Sequence, residues 1–237
     1  MNLRNILFID IETVGITNDY KSLGERLKTQ WSRKAAFLKR EEGISDDELF
    51  NQRAGIYAEF GKVVTIGVGY FVAKYKDLEF RVKALYGDNE KELLEGFKDL
   101  IRKINNDHLV LCAHNGREFD FPYLSRRMLI NDIPLPNVLD LAGKKPWEIQ
   151  HLDTMDLWKF GDYKHYTSLE LLASVFGIES SKTGLDGSMV NDTYYQGDGL
   201  EKIAEYCVED VIVLAQIFLR LKSIQHADLK IIRADPS

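Results

Sequence analysis

The sequence predicts an α/β protein with a mixed sheet of five to six strands and helices on both faces. Apolar, β-rich runs come early in the chain, and strand and helix patterns alternate after them. The chain has 237 residues, enough for one large domain with a sizeable core. We therefore expect a three-layer arrangement in a single domain over residues 1–223.

The strand patterns are short and mostly apolar. The first, "NILFIDIET", ends on carboxylates. Residues 61–71 and 78–86 are β-rich runs joined by a short polar link, which predicts a hairpin. Residues 108–116 form another buried strand pattern, and "IQHLDTMDLW" predicts a last strand that runs into a loop or helix.

Helical spacing of apolar residues predicts a helix over 88–104, with Asp88 as its cap signal. A second helix is predicted over 120–130, with Pro122 in its first turn. Two further helical patterns cover residues 168–177 and 199–222.

Two segments lie outside this alternation of strands and helices. Residues 17–60 are charged and helical in pattern, and we interpret them as an insertion that acts as a lid or a substrate-binding arm. Within it, residues 21–40 hold seven basic residues against one acid, Glu25. Residues 224–237 are expected to form a C-terminal tail.

Composition excludes several classes of protein. No apolar run approaches the roughly 20 residues that span a bilayer, and the N-terminus lacks a signal-peptide layout. We therefore expect a cytoplasmic protein without membrane contact. Cys112 and Cys207 lie in apolar stretches, which favours reduced core thiols. The net charge of −6 argues against a protein that coats nucleic acid non-specifically.

The first strand carries two acids, Asp10 and Glu12, at a spacing of two. On a strand this spacing places both side chains on one face. If the strand is central and covered on both sides, the two carboxylates are buried or half-buried and need a cation. The alternative is a surface strand or turn that happens to carry the same two residues.

The segment "AHNGREFDFPYL" follows the predicted strand at 108–114. Asn115 and Gly116 are a turn signal, and Asp120 begins the next helix. The alternative for Asp120 is a helix N-cap, a position that Asp favours. We expect His114 to be a structural histidine.

The last long helix carries Tyr206 and Asp210 one turn apart, so a phenol and a carboxylate share one face. The alternative is an amphipathic helix with a polar edge. Together with Asp10, Glu12 and Asp120, Asp210 completes four acids from three segments, which is the donor set of Mg²⁺ or Mn²⁺. Zinc is disfavoured because no Cys/His cluster has ligand spacing.

At these residues the sequence resembles the DEDD superfamily of 3′→5′ exonucleases, whose fold is ribonuclease H-like. "FIDIET" resembles the first motif of that superfamily, "HNGREFD" the second, and "YCVED" the third in its tyrosine form. The histidine form would need His where this chain has Glu205. Over about residues 5–222 the chain resembles stand-alone relatives of the proofreading domain of family-B DNA polymerases.

The resemblance implies a role for each motif residue. Asp10, Glu12, Asp120 and Asp210 would bind two Mg²⁺ or Mn²⁺ ions, and Tyr206 would orient the attacking water. Substrate contacts would come from Thr13, Asn115, Phe119, Lys182 and Ser188. Asp153 and Asp156 are expected to cap a helix instead of binding metal. Packing is the favoured interpretation of four tyrosines that could stack bases, Tyr163, Tyr166, Tyr194 and Tyr195.

The resemblance thus implies a metal-dependent exonuclease that removes nucleoside 5′-monophosphates from the 3′ end of DNA, single-stranded by expectation, in association with replication or repair proteins. An exoribonuclease of the same chemistry is one alternative. Another is a nucleic-acid-binding module with an inactive site. A small-molecule phosphohydrolase would explain Asp10 and Glu12 but not the later motifs.

Overall fold

A computed structural model describes residues 2–38, 43–74, 77–104, 106–162, 166–180, 184–224 and 229–234. Its six strands are β1 (Ile6–Gly15), β2 (Gly61–Lys74), β3 (Asp77–Tyr86), β4 (Val110–Ala113), β5 (Leu152–Asp153) and β6 (Lys230–Arg233). They form one sheet in the order β5-β4-β1-β2-β3-β6. β1, β2 and β3 are antiparallel neighbours, whereas β4, β5 and β6 join by parallel pairing. The mixed sheet confirms the predicted fold class.

The helices are α1 (Glu25–Ala35), α2 (Asp46–Arg53), α3 (Glu90–Ile104), α4 (Asp120–Ile130), α5 (Thr154–Lys159), α6 (Leu169–Phe176), α7 (Val190–Tyr195) and α8 (Leu200–Leu221). Single turns of 3₁₀ helix cover Leu3–Asn5, Tyr20–Ser22, Ala54–Ile56 and Pro146–Glu148. Each helix expected from the sequence is present. α7 and β6 were not expected from the sequence.

One face of the sheet is covered by α3 and α4. Alternate residues of β1 point to this face, and the core there contains Leu7 and Ile9 from β1, Phe97 from α3, and Leu124 and Met128 from α4. All five are buried.

The other face is covered by α8. Phe8 of β1 meets Phe218 of α8 edge to face, with ring centroids 5.3 Å apart. Gly67 of β2 lies directly beneath α8. A Cβ there would approach Val211 to 2.8 Å and the Cys207 sulfur to 2.9 Å. Because Gly67 has no side chain, α8 packs close to the sheet.

The insertion at 17–60 forms α1, α2 and two of the 3₁₀ turns around a small core of its own. Trp31 is fully buried among Phe50 and Phe60, and its indole N–H donates to the Asp46 carbonyl at 2.9 Å. Ser45 and Glu48 form a capping box that begins α2. The helical prediction for this segment is therefore confirmed.

The structure differs from two local predictions, those for the cap of α3 and for the C-terminal tail. The residue that caps α3 is Asn89, whose side chain accepts from the Glu92 N–H at 3.4 Å, and the expectation of an Asp88 cap is wrong. Asp88 instead accepts a hydrogen bond from the Tyr194 hydroxyl at 2.8 Å. The tail contributes β6, which pairs with β3 along the sheet edge.

None of the helices in the described ranges has the length and apolar character needed to cross a bilayer. Cys112 and Cys207 are both buried and unbridged, in agreement with the expectation of core thiols. Four residues singled out in the sequence lie outside the described residues, namely Lys39, Arg40, Tyr163 and Lys182.

Candidate active site

β1 places its two acids on the face that α8 covers. Asp10 pairs in register with Gly67, and Glu12 pairs with Thr65. Glu12 is 8% exposed, and Asp10 is half-buried. A register shift follows Glu12, so the strand changes course directly after the second acid. Both acids therefore lie on one strand face, as their spacing predicts, with Glu12 buried and Asp10 half-buried.

α8 brings a phenol, a thiol and a carboxylate to this pair. The Tyr206 phenol and the Asp210 carboxylate lie one turn apart on one face of α8, where each affects the pKa of the other. The Cys207 thiol lies 3.3 Å from Asp10 Oδ2 and 3.4 Å from the Asp10 carbonyl. One ligand atom from each of Asp10, Glu12 and Cys207 lies within 4.8 Å of the other two. Sequence reasoning missed the contact of Cys207, although its position directly after Tyr206 was a usable signal.

Asp120 enters from α4 and is the most buried of these acids, at 3% exposure. It is the first helical residue, whereas the N-cap position belongs to Phe119, which makes no side-chain capping bond. The backbone of Asp120 itself and of Ile11 in β1 lowers the pKa of this carboxyl, but burial raises it more. The alternative of a simple N-cap is wrong, because Phe119 occupies the cap position and Asp120 lies inside the helix.

Asp153 holds the loop that leads to Asp120. Its Oδ1 accepts from the Asn115 N–H at 2.9 Å and from the Met155 N–H at 3.0 Å, while Oδ2 accepts from the Arg117 N–H at 3.1 Å. The expectation that Asp153 caps a helix is confirmed, since it is the N-cap of α5. Its second task, fixing the loop, was not visible in the sequence.

Asp156 does not cap α5, contrary to expectation. It lies in the first turn, 3.7 Å from the Arg117 guanidinium and 3.1 Å from the Lys159 ammonium.

Asn115 has a left-handed backbone with φ of 62°, and its side-chain oxygen is buried without a hydrogen-bond partner in the described part of the chain. That oxygen is available to a ligand.

We call Asp10, Glu12, Asp120 and Asp210 the carboxylate cluster. Burial and the neighbouring acids raise the pKa of Asp10 and of Glu12 well above the usual range. Burial raises the pKa of Asp120 to about 7 and that of Asp210 to about 6. Burial and the cluster also raise the pKa of the Tyr206 phenol above its ordinary value of about 10. The cluster is therefore repulsive when ionised.

No ion pair within the described ranges joins a Lys, Arg or His to any member of the cluster. Four buried or half-buried oxygen donors without a cation match the preference of hard divalent ions. The donor set therefore fits Mg²⁺ or Mn²⁺.

Thr13 fastens the insertion to the site. Its hydroxyl donates to the Gly55 carbonyl at 2.8 Å, and the Tyr123 hydroxyl donates to the same oxygen at 2.8 Å. The hydroxyl of Thr13 is thus engaged, and a substrate contact through its backbone stays a prediction. Phe119 lies beside Asp120, half-buried, with its ring centroid 5.3 Å from that of Tyr123.

The other residues singled out in the sequence lie apart from the cluster or have structural partners. Ser188 is exposed and hydrogen-bonded to Asp186. His114 bridges the Thr154 hydroxyl at 2.9 Å and the Thr167 carbonyl at 2.8 Å, as a structural histidine does.

The tyrosines beyond the motifs divide into two kinds. Tyr194 and Tyr195 pack edge to face at 4.9 Å, and the Tyr195 hydroxyl donates to the Gly15 carbonyl at 2.6 Å. Tyr166 is 70% exposed. Packing therefore accounts for the first two.

Comparison with known proteins places this geometry in context. Residues 56–230 match the model of a family described as predicted 3′-5′ exonucleases related to the exonuclease domain of PolB. This range contains Asp120, Tyr206 and Asp210, and it begins after Asp10 and Glu12.

Two archaeal DNA polymerases are similar in sequence. A DNA polymerase of Pyrococcus horikoshii is 27% identical over 178 residues, 67% of this chain and 14% of the polymerase. DNA polymerase 1 of Pyrococcus abyssi is 27% identical over 177 residues, 67% of this chain and 22% of that protein. The chain thus spans less than a quarter of the length of these relatives.

The family B DNA polymerase of the hyperthermophilic archaeon Pyrobaculum calidifontis is similar in structure, with a TM-score of 0.57 and 16% identity over 90% of this chain and 24% of the polymerase. This likeness supports a ribonuclease H-like α/β fold. The family match covers well over half of the residues. The chain therefore belongs to the family of predicted 3′-5′ exonucleases related to the exonuclease domain of PolB.

Proposed function

We propose that this protein is a metal-dependent exonuclease that hydrolyses single-stranded DNA from its 3′ end and releases nucleoside 5′-monophosphates. The carboxylate cluster carries the proposal. Four acids from β1, α4 and α8 converge with raised pKa values and without a cationic partner in the described ranges. Perturbed groups of this kind mark functional sites more often than structural ones.

The four acids would hold two divalent ions. When bound, two such ions lower the pKa of water and stabilise the attacking and leaving oxygens of a phosphoryl displacement. The reaction adds water to the terminal phosphorus, breaks the bond between phosphorus and the 3′ oxygen, and returns a proton to that oxygen. The four acids would therefore contribute by holding the ions in place. The third motif is in its tyrosine form, so it supplies the Tyr206 phenol beside Asp210.

Tyr206 is assigned the task of orienting the water. Its raised pKa keeps the phenol protonated at neutral pH, so it cannot serve as a general base. A protonated phenol both donates and accepts a hydrogen bond. Asp210, one turn away, would accept from this O–H and leave a lone pair of the phenolic oxygen for the proton of a water molecule.

Asn115 and Phe119 are assigned to the terminal nucleotide. The unpartnered oxygen of Asn115 can accept from a sugar hydroxyl or a base amine. The half-buried ring of Phe119, one residue before Asp120, offers an apolar surface for the base or sugar. Both lie on the loop that Asp153 fixes, so their positions are set before substrate arrives.

The experiment uses the full chain with 5′-labelled DNA and RNA strands of one sequence, in Mg²⁺ or Mn²⁺ and in chelator. We expect the DNA strand to shorten one nucleotide at a time, with 5′-mononucleotides as product, and no shortening in chelator. Asp210→Asn serves as the matched control for a contaminating nuclease.

Each other result identifies an alternative. Faster shortening of RNA than of DNA would assign the site to an exoribonuclease, because the strands differ at the 2′ hydroxyl. Binding of the strand without metal-dependent cleavage would identify an inactive binding module. Cleavage that persists in Asp210→Asn would remove the carboxylate cluster from the mechanism.

A further inference from the structure

A row of basic, polar and aromatic side chains runs along the outer surface of α1 and into the turn that follows it. Arg26, Gln30 and Arg33 recur at one-turn spacing, and Phe37 follows one turn later, where its N–H donates to the Lys34 carbonyl at 3.0 Å. All four side chains of the row are exposed, and Phe37 is 91% exposed. We call this row the α1 face. An aromatic side chain this exposed contributes nothing to the core.

The α1 face is positively charged although the whole chain has a net charge of −6. No ion pair within the described part of the chain engages Arg26 or Arg33, whereas Lys28 pairs with Glu25 at 3.0 Å. The acids of the neighbouring α2 lie in its first turn, where they interact favourably with the positive N-terminal end of the dipole of α2. The basic charge of α1 is thus left for a partner.

A chain of contacts joins the α1 face to the carboxylate cluster. Lys34, next to Arg33, lies with its ammonium 3.9 Å from the centre of the Tyr57 ring. Tyr57 closes the 3₁₀ turn that contains Gly55. The Gly55 carbonyl accepts from Thr13, the residue after Glu12, at 2.8 Å. α1 is therefore connected, through Tyr57 and the turn that contains Gly55, to the residue that follows Glu12.

We propose that the α1 face binds the part of a single DNA strand that lies 5′ of the nucleotide held at the carboxylate cluster. Exposed aromatic rings stack on bases of any sequence, and neighbouring arginines contact phosphates. Arg33 and Phe37 supply both kinds of group one turn apart. This inference rests on the proposed function, and it assigns the insertion at 17–60 the role of holding the strand between successive cleavage steps.

The test compares Arg33→Ala/Phe37→Ala with Arg126→Ala/Ile130→Ala. The control pair also joins an exposed arginine to an exposed apolar residue one turn later, but on α4, beyond the end that carries Asp120. Binding of 5′-labelled single strands of about 20 and about 4 nucleotides is measured in chelator, which prevents cleavage, at several salt concentrations.

We expect Arg33→Ala/Phe37→Ala to bind the longer strand about 5- to 100-fold more weakly, the range for one base–aromatic stack. The log–log salt slope should fall by about 0.7, since one phosphate contact is lost. Binding of the shorter strand should not change. The control pair should match the wild type on both strands, and both variants should melt at the wild-type temperature because the replaced side chains are exposed.

Two results would overturn the inference. If Arg33→Ala/Phe37→Ala binds the longer strand as tightly as the control pair does, the α1 face does not contact DNA, and its exposed Phe37 is left for contact with another protein. An equal loss on both strands would place the effect at the cleavage site itself. The proposed function stands or falls separately, because stepwise cleavage by the wild type is measured without reference to α1.

Discussion

Two buried acidic sites in this protein are built in opposite ways. On α3, the Glu90 carboxylate accepts from the Arg127 Nε at 2.8 Å, the Asn131 amide at 2.9 Å and the Val63 N–H at 2.8 Å. In the carboxylate cluster, Asp120 is even less exposed, yet no ion pair in the described ranges engages it, and its charged neighbours are acids. The Glu90 carboxylate is thus buried beside a compensating positive charge, whereas the Asp120 carboxylate is buried among other acids.

The comparison separates structural from functional burial of charge. An ion pair that is fully hydrogen-bonded offsets much of its desolvation cost, whereas clustered acids without a cation raise the free energy of the folded state. Glu90 therefore joins elements of the fold. The carboxylate cluster, by contrast, raises the free energy of the folded state unless a cation binds to it.

The Glu90 site also supports the elements around the carboxylate cluster. Arg127 lies on α4 and donates a further hydrogen bond to the Ala58 carbonyl at 2.8 Å, at the end of the insertion. Since Glu90 is on α3 and Val63 on β2, one carboxylate joins the elements that surround the cluster. α4, the helix that begins with Asp120, is thereby fixed to α3, β2 and the insertion.

The sharpest way to break this comparison is to neutralise one acid in each site and measure turnover. Asp10→Asn should lower the rate of DNA cleavage by about 10³-fold, because a divalent ion supplies several kcal/mol of transition-state stabilisation. Glu90→Gln should cleave at nearly the wild-type rate per folded molecule. Comparable losses in the two variants would mean that the two sites do not differ in function.

Stability should respond in the opposite sense to turnover. Glu90→Gln should lower the free energy of unfolding by about 3 kcal/mol, because it leaves the Arg127 guanidinium buried without its counter-charge. Urea denaturation of the metal-free protein measures this change. Glu92→Gln is the control, since Glu92 is exposed and bonds only to Asn89 in the same turn. Equal midpoints for the two variants would refute the structural role.

Two tyrosines extend the comparison to single hydrogen bonds. Tyr206→Phe should retain metal and DNA binding and lose turnover by about 10²-fold, as expected when a reactant is misplaced. Tyr123→Phe removes the bond to the Gly55 carbonyl and should cost about 1 kcal/mol of stability. Single-turnover rates and binding constants separate the two effects. A wild-type rate in Tyr206→Phe would mean that the Tyr206 hydroxyl takes no part in turnover and that the side chain only packs.

Short-range periodicity predicted the parts of the site that lie within one element. The spacing of two in β1 placed Asp10 and Glu12 on one face, and the spacing of four in α8 brought Tyr206 and Asp210 to one face. These patterns are local, so the backbone geometry of a single strand or helix is enough to interpret them.

Contacts between distant segments could not be predicted in this way. The bond from Thr13 to Gly55 spans 42 residues and ends on a backbone carbonyl, for which a sequence gives no residue signal. Asp153 was correctly expected to cap a helix, but its bonds to the loop at Asn115 depend on how β4 and β5 pair. β6 has four residues and depends on pairing with the edge of β3.

The smallest expected effect concerns the pH dependence of the metal-free protein. Burial raises the pKa of Asp120 to about 7 in the folded state, whereas a carboxyl in an unfolded chain titrates near 4. Between these values the folded state binds more protons than the unfolded state, so this group adds stability as pH falls from about 8 to about 5. The contribution is fully present below the unfolded pKa and is lost as pH rises through the folded pKa.

Asp120→Asn isolates this contribution. The amide carries no charge at any pH, so the metal-free variant should melt about 2–4 °C above the wild type near pH 8, which corresponds to a gain of about 1 kcal/mol. The difference should vanish below about pH 3, where Asp120 is protonated in both states. Millimolar Mn²⁺ should raise the melting temperature of the wild type more than that of the variant, because binding to the folded state stabilises it. If the variant melts below the wild type at pH 8 without metal, the Asp120 carboxylate stabilises the fold as Glu90 does, and the contrast between the two acidic sites is wrong.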